Sequence, residues 1–418
     1  MSEMVIPEGW LGTSIGALSK VKRGASPRPI KDPKWWGGSV GWTRISDVTS
    51  SVKYLNKTTD YLSKEGVAKS VRIPKGEVIL SICATIGRPV IVNADACIHD
   101  GFVWFDGLSR GVDREFYYYF LSSKEESLSA SRQTGTQGNL NTDIVSRLEI
   151  SLPPLPEQQK IAAILTSVDD VIEKTQAQID KLQDLKKGTM NELLTKGIGH
   201  TEFKESPVGM IPVEWESKTL SSLVEKKYGI VDGPFGSNLK TEHYKSSGVP
   251  VIQSGFVTAG KFSAKKYVHV DEEKYQEQIR SSTSGGDIVM AKIGANAGAC
   301  AMLPYNHPIG ILAGNSLKMT LCQTVAATNF IILVLHYYRL TGELDRIKTE
   351  TAQPAISISS LRKLQVPVPN LAEQQKIASI LTSIDNQIES RESKLQHTQV
   401  LKKALMQDLL TGKKRVAA

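Results

Sequence analysis

EQQKIAAILTSVDDVIEKTQAQIDKLQDLKKGTMNELLT, residues 157–195, returns as EQQKIASILTSIDNQIESRESKLQHTQVLKKALMQDLLT at residues 373–411. The copies align without a gap at an offset of 216, and roughly half of the positions are identical. A period that long marks one architectural unit used twice, since solenoid repeats run about 20–50 residues. Apolar residues fall at Ile161, Leu165, Val168, Ile172, Ile179 and Leu182, and again at Ile377, Leu381, Ile384, Ile388 and Leu395. Alternating steps of four and three predict a seam that packs on another helix. Both copies interrupt the seam at one place, with Thr175 and Arg391, a polar layer of the kind that fixes register. At 1.5 Å per residue each helix is about 58 Å long. The simplest partner for each seam is the other copy.

Outward from the helices the duplication continues. VIPEGW at 5–10 returns as MIPVEW at 210–215, with Leu18 matching Leu223 and Gly24 matching Gly229 at an offset of 205. Gln137, Leu148, Ile150 and Pro153 match Gln353, Leu364, Val366 and Pro369 at the helix offset. Similarity is strong at the edges of the two intervening segments and weak in their middles. Short apolar runs punctuated by Gly, Pro, Asn and Asp, such as Val78–Ile82, Val90–Val92, Val249–Gln253, Ile288–Met290 and Ile309–Leu312, predict strands. REFYYYFL (114–121) and NFIILVLHYYRL (329–340) predict one helix late in each segment, with their aromatic faces in the core.

The expected architecture is α+β: two mixed α/β domains joined by two long antiparallel helices forming a coiled coil, a pseudo-twofold tandem repeat. The boundaries are 1–153 for the first domain, 154–197 for the first helix, 198–211 for a linker, 212–369 for the second domain and 370–412 for the second helix. Glu157 and Glu373 suit the first turn of a helix, where a carboxylate complements the dipole. The final GKKRVAA reads as a disordered basic tail.

Composition is that of an ordinary globular chain, 40% hydrophobic and 22% charged. No apolar run approaches the ~20 residues of a membrane span. Cys83, Cys97, Cys300 and Cys322 are scattered without a CxxC pair, which argues against a zinc site or a disulfide framework and suits a cytoplasmic protein. The net charge of +8 is localised: residues 9–153 hold 19 Lys/Arg against 14 Asp/Glu, and residues 212–369 hold 17 against 13. A modest basic excess in both domains is compatible with a nucleic-acid partner.

Chemistry is hard to find. There is no GxxxxGK[ST] loop, no HExxH, no GxSxG and no metal-ligand spacing. Asp232-Gly233-Pro234-Phe235 superficially resembles an amino-methyltransferase motif, but Gly233 replaces its first proline and no FxGxG accompanies it. It reads as a Gly-rich turn. The chain is expected to be non-catalytic, with no metal and no cofactor of its own.

Duplex contact has better candidates. Lys20, Lys22, Arg23, Arg28, Lys31 and Lys34 stand within fifteen residues against one acid, Asp32, and Thr43-Arg44 follows at a strand edge. Long donors for phosphates, mixed with donors able to read base edges, are what duplex recognition needs. The same run would also suit a solvated basic loop. Arg88 is a further donor in this domain. In the second domain Phe235, Ser237, Asn238 and Lys240, then Gln253, Lys292 and Asn296, lie in comparable loops. Arg132, Gln133 and Gln137 precede the first helix where Lys348 and Gln353 precede the second, as matching contact loops.

Two variable segments, each closed by prolines and followed by a Glu-Gln-Gln-Lys-Ile-Ala helix ending in Leu-Leu-Thr, resemble the specificity (S) subunit of type I restriction–modification systems. The resemblance covers nearly the whole chain, and the duplicated helix is its most specific part. It implies two target-recognition domains, each reading half of a split double-stranded DNA site. It also implies two modification (methyltransferase) subunits docked along the helices, and restriction (nuclease and translocase) subunits beyond them. S-adenosylmethionine, ATP and Mg would belong to those partners. A reading from another class also stands: a coiled-coil assembly adaptor with two protein-binding domains and no DNA role.

Overall fold

The computed structural model describes residues 6–130, 140–350 and 352–416. The chain divides into two compact units. One comprises the residues up to 177 together with those from 392 onward, and the other residues 178–391.

In the first unit, β1 (Lys20–Arg23), β2 (Trp36–Thr43), β3 (Asp60–Leu62), β4 (Val71–Ile73), β5 (Val78–Ser81), β6 (Pro89–Val92), β7 (Ala96–Ile98) and β8 (Phe102–Asp106) build two sheets. Their orders are β1-β8-β5-β6, extended by an edge strand at Tyr54–Leu55, and β3-β2-β7-β4. β2 and β7 run parallel, with Trp42 opposite Cys97 and Thr43 opposite Ile98. VILS and PVIV are buried at every position, so their apolar character is continuous instead of alternating. Helix α1 (Arg114–Ala130) begins where Asp113 accepts the Phe116 N–H at 2.9 Å, and it buries Phe116 to Leu121. A separate pair, Leu11–Ser14 with Glu149–Leu152, ties the start of the domain to its end.

The second unit repeats these eight strands, without a counterpart of the Tyr54–Leu55 edge strand among the described residues. β9 (Ile230–Asp232), β10 (Val249–Ile252), β11 (His269–Val270), β12 (Ser282–Thr283), β13 (Ile288–Ala291), β14 (Cys300–Met302), β15 (Gly310–Leu312) and β16 (Ser316–Met319) form the orders β9-β16-β13-β14 and β11-β10-β15-β12. Each strand thus corresponds to the one eight numbers earlier. β10 and β15 are the parallel pair, with Ile252 opposite Leu312. Glu216–Thr219 pairs with Gln365–Val368 as the closing ribbon. Helix α3 (Thr328–Thr341) matches α1.

The two long repeats are single helices, α2 (Leu155–Thr195) and α4 (Leu371–Leu409). They pack antiparallel, and the packing is reciprocal. Ile161, Ala162 and Leu165 from the start of α2 share the first unit's core with Leu409 and Leu410 from the end of α4. Ile377, Ala378 and Leu381 from the start of α4 share the second unit's core with Met190 and Leu194 from the end of α2. The early seam residues therefore pack into the globular cores as well as toward the other helix. Asp169 binds Lys402 at 2.6 Å in the first unit, and its repeat equivalent Asp385 binds Lys186 at 2.6 Å in the second. Thr175, one member of the expected polar layer, is buried and donates to its own helix, to the Val171 carbonyl at 2.6 Å.

Three expectations need correction. Part of the linker is a β-hairpin, Phe203–Ser206 against Gly209–Pro212, turned by Pro207 and by Gly209 at φ 93°. The C-terminal tail is anchored as far as the described residues go: Arg415 makes two 2.8 Å bonds to Glu157, and Lys414 pairs with Asp408. Gly24 corresponds to Gly233 and not to Gly229. Gly24 donates to Phe102 at the end of β8, whereas Gly233 donates to Ser316 of β16. A Cβ on Gly24 would lie 2.2 Å from the His99 carbonyl oxygen, and one on Gly233 2.0 Å from that of Ala313. Only glycine fits a strand end pressed so closely on its neighbour.

Candidate nucleic-acid interface

In the first domain, β2 ends at Thr43 and Arg44 follows it directly. The backbone N–H of Arg44 donates to Asp47 at 2.8 Å as the chain turns into a short helix, Ile45–Ser50. Asp47 is buried and also accepts from the backbone and hydroxyl of Thr59, so the turn is fixed. The Arg44 guanidinium bonds through Nε to the carboxylate of Asp60, on β3. The loop after β1 passes Gly24 and brings Ser26 and Arg28 onto Asp100, at 2.6 and 2.9 Å. Arg23 donates to the Asp100 carbonyl at 2.6 Å. The Ser26 hydroxyl, and then the Arg28 charge, hold the Asp100 carboxyl below the usual carboxylate range.

His99 accepts the Gly101 N–H at Nδ1, at 2.8 Å. Burial pushes its pKa down, so near neutral pH the ring is uncharged and carries its proton on Nε2. Arg28, Arg44, Trp42, His99 and Asp100 border one cleft of about 460 Å³.

The other candidates of this domain are dispersed. Lys22 pairs with Asp106 and lies over the Trp104 ring. Lys34 pairs with Asp32 at 3.1 Å and covers Trp35. Lys31 is exposed. Arg88 donates to the carbonyls of Thr49 and Ser51 and borders a separate groove between α1 and the end of α4. Thr43 is fully buried, its hydroxyl without a partner among the described residues, which takes it out of reach of a ligand. Arg132, Gln133 and Gln137 lie outside the described residues.

The basic run is thus less charged than its sequence implies. Asp60, Asp100 and Asp106 arrive from 16, 72 and 84 residues away and pair with Arg44, Arg28 and Lys22. Nothing in the local sequence signals them. An arginine held by a carboxylate is aimed, and aim is what a base edge requires of it.

In the second domain Gln253 follows β10 as Arg44 follows β2, and it also leads into a helical turn, Ser254–Phe256. Phe235, beyond Gly233, is exposed with the Lys292 amine 3.9 Å from its ring centre. Lys292 is committed elsewhere as well, bonding buried Asp232 at 2.8 Å, with Arg280 on the other carboxylate oxygen at 3.1 Å. That ion pair explains the Asp232-Gly233-Pro234-Phe235 stretch as architecture. Asn238 is exposed, and Lys240 stands 3.6 Å from Glu242. The backbone of Ser237 closes the Gly236–Asn238 turn.

The loop after β13, with Lys292 and the exposed Asn296, is joined to the loop carrying Lys348 and Gln353. Gly294 donates to Pro354, and Ile356 to the Lys292 carbonyl, both at 2.9 Å. Lys348 pairs with Asp345 at 2.5 Å, and Gln353 is exposed. The structure therefore unites Lys292, Asn296, Lys348 and Gln353 in one loop cluster. Among the described residues no group of His, Cys, Asp and Glu could hold a metal ion, and no helix is long and apolar enough to cross a membrane.

The profile of the family described as the type I restriction modification DNA specificity domain matches the chain twice, over residues 7–184 and 212–398. The type I restriction enzyme MjaVIII specificity subunit of Methanocaldococcus jannaschii is 27% identical, over 100% of this chain and 95% of its own. The EcoKI specificity subunit of Escherichia coli K12 is 21% identical, over 90% of this chain and 82% of its own. The crystal structure of the type I restriction–modification S subunit from M. genitalium covers 98% of each chain with a TM-score of 0.60 at 17% identity, a likeness of fold.

Proposed function

Because the chain belongs to the type I restriction–modification specificity subunits, we propose that each of its two domains reads one half of a split, asymmetric site on double-stranded DNA. The observation that carries this reading is a duplication of eight strands with different side chains at the same fold positions. Equivalent frames with unlike side chains, a cleft bordered by Arg28, Arg44 and His99 in the first domain and Gln253 at the Arg44 position of the second, suit two unlike half-sites.

The chain performs no catalysis in this scheme. Two modification subunits dock along α2 and α4 and supply S-adenosylmethionine-dependent adenine methylation. Restriction subunits add ATP- and Mg-dependent cleavage. Phosphate contacts fall to exposed cations such as Lys31, and base contacts to the oriented arginines and amides of the two domains.

The test is to assemble the full chain with its modification subunits and map methylated adenines in genomic DNA. The expected outcome is one bipartite motif with unlike halves and a fixed gap. Duplex binding that weakens steeply as salt rises is expected beside it. Assemblies that retain no duplex at any salt, and methylate none, would leave the adaptor reading in place.

A further inference from the structure

Arg44 and Gln253 share one fold position while presenting different chemistry. Each is the first residue after the strand that runs parallel to its neighbour, β2 beside β7 and β10 beside β15. Each leads into a helical turn, and Arg44 borders one cleft with Ser26 and Arg28 of the loop after Gly24.

The side chains are differently committed. Arg44 is half exposed and spends only Nε, on Asp60; its two terminal nitrogens carry no hydrogen bond among the described residues. Gln253 is half-buried, and neither its amide nitrogen nor its amide oxygen has a hydrogen-bond partner among the described residues. Neighbouring candidates commit their terminal nitrogens: Arg28 gives one to Asp100, and Lys292 gives its amine to buried Asp232.

A guanidinium fixed at one edge offers two parallel donors, the complement of the O6 and N7 acceptors of guanine in the major groove. A carboxamide offers one donor and one acceptor, the complement of N7 and the N6 amine of adenine. We infer that Arg44 and Gln253 are equivalent specificity-determining residues, Arg44 selecting a guanine in the half-site of the first domain and Gln253 an adenine in the half-site of the second. Asp60 is a positioning residue that aims Arg44. This assignment rests on the DNA-reading function proposed above and adds to it the residues and the bases.

The test uses the full chain assembled with its modification subunits. Methylation motifs are mapped for the wild type, R44Q and Q253R. R44Q is expected to alter one G·C position in one half-site, and Q253R one A·T position in the other, with the gap unchanged. In a second measurement the wild-type complex binds duplexes of its own motif carrying 7-deazaguanine, which lacks the N7 acceptor, at each guanine in turn. Affinity is expected to fall roughly tenfold to hundredfold at one guanine of the first half-site. An R44A complex is expected to be indifferent to that replacement.

Motifs unchanged in R44Q and Q253R overturn the assignment while leaving DNA reading intact. So does a first half-site without a G·C pair, or a wild-type complex indifferent to every 7-deazaguanine in it. If R44Q fails to assemble, the wild-type 7-deazaguanine series still decides. A wild-type complex with no motif at all refutes DNA reading itself, a distinguishable result.

Discussion

Trp10 donates its indole N–H to a carboxylate oxygen of Glu157 at 3.2 Å, joining the start of the first domain to the start of α2. The same carboxylate takes Arg415, from beyond the end of α4. Trp215 does likewise with Glu373, at 3.0 Å, where the third partners are the Ile198 N–H and the His200 ring, from beyond the end of α2. Each unit is thus closed at one acidic group that joins its own helix to two distant parts of the chain. Beside it, the buried amide of Gln158 accepts from Asp113 and donates to Gly111 and Pro153; Gln374 holds Ala327, Val325 and Pro369 in the same way. The Glu-Gln pair that opens both helices is a fastening.

Replacing Glu157 by Gln is expected to cost about 2 kcal/mol at pH 7, since the amide nitrogen cannot accept, so one of the two bonds from Arg415 is lost and the other meets an uncharged oxygen. Arg415 is the main reason the Glu157 carboxyl is held below the usual carboxylate range. A lowered value stabilises the fold above the unfolded value, near 4.3, and this contribution fades as pH falls through the folded value. Urea unfolding of wild type and E157Q should therefore differ at pH 7, and the difference should shrink as pH falls well below the unfolded value of about 4.3.

Asp169 and Asp385 make the same repeat-related bond in different surroundings. Asp169 is 6% exposed and also accepts the Tyr119 hydroxyl at 2.6 Å, whereas Asp385 is 42% exposed. Removing the buried carboxylate strands Lys402 and leaves the Tyr119 hydroxyl only its longer contacts with Thr166 and Lys53, so D169A is expected to cost about 3 kcal/mol. D385A breaks a half-exposed pair and should cost under about 1 kcal/mol. Thermal unfolding of the two variants checks the order.

Glycine substitutions should separate by position. G24A puts a methyl group against the backbone of Ile98 and His99 and is expected to cost about 2–3 kcal/mol. G188A lies within α2 with nothing within 4 Å of the new carbon, and is expected to stabilise by about 0.8 kcal/mol. Calorimetry on both variants tests the pair.

Exchange of residues 212–369 for the corresponding segment of a relative should change one half of the methylated motif. The other half and the gap should stay as they were. Mapping methylated adenines for the chimera is the measurement, and a change in both halves would rule out independent readers.

The helices were legible in the sequence because a long period-coded seam, repeated at fixed offset, leaves little choice of structure. Buried runs such as Val78–Ser81 and Ile288–Ala291 were legible for the same reason. Pairing was not. Ten residues separate Leu223 from Gly233 where six separate Leu18 from Gly24, so matching on the nearest glycine selected Gly229. The candidate interface was half legible. Arg28, Arg44 and Gln253 stood out as donors, but their acid partners come from other strands and loops. Arg415 read as a loose end because its partner, Glu157, is 258 residues away.

The reciprocal helix ends bear on how such a gene can be shortened. A stop codon after Thr195 would delete Leu409 and Leu410, and with them part of the first domain's interior. The truncated product would still carry Met190 and Leu194, the repeat counterparts of Met406 and Leu410. A second copy of the same product is then the natural donor of what the first lacks. Two identical half-length chains, each completing the other, would present twin domains of one kind, and the sequence they select would become a palindrome.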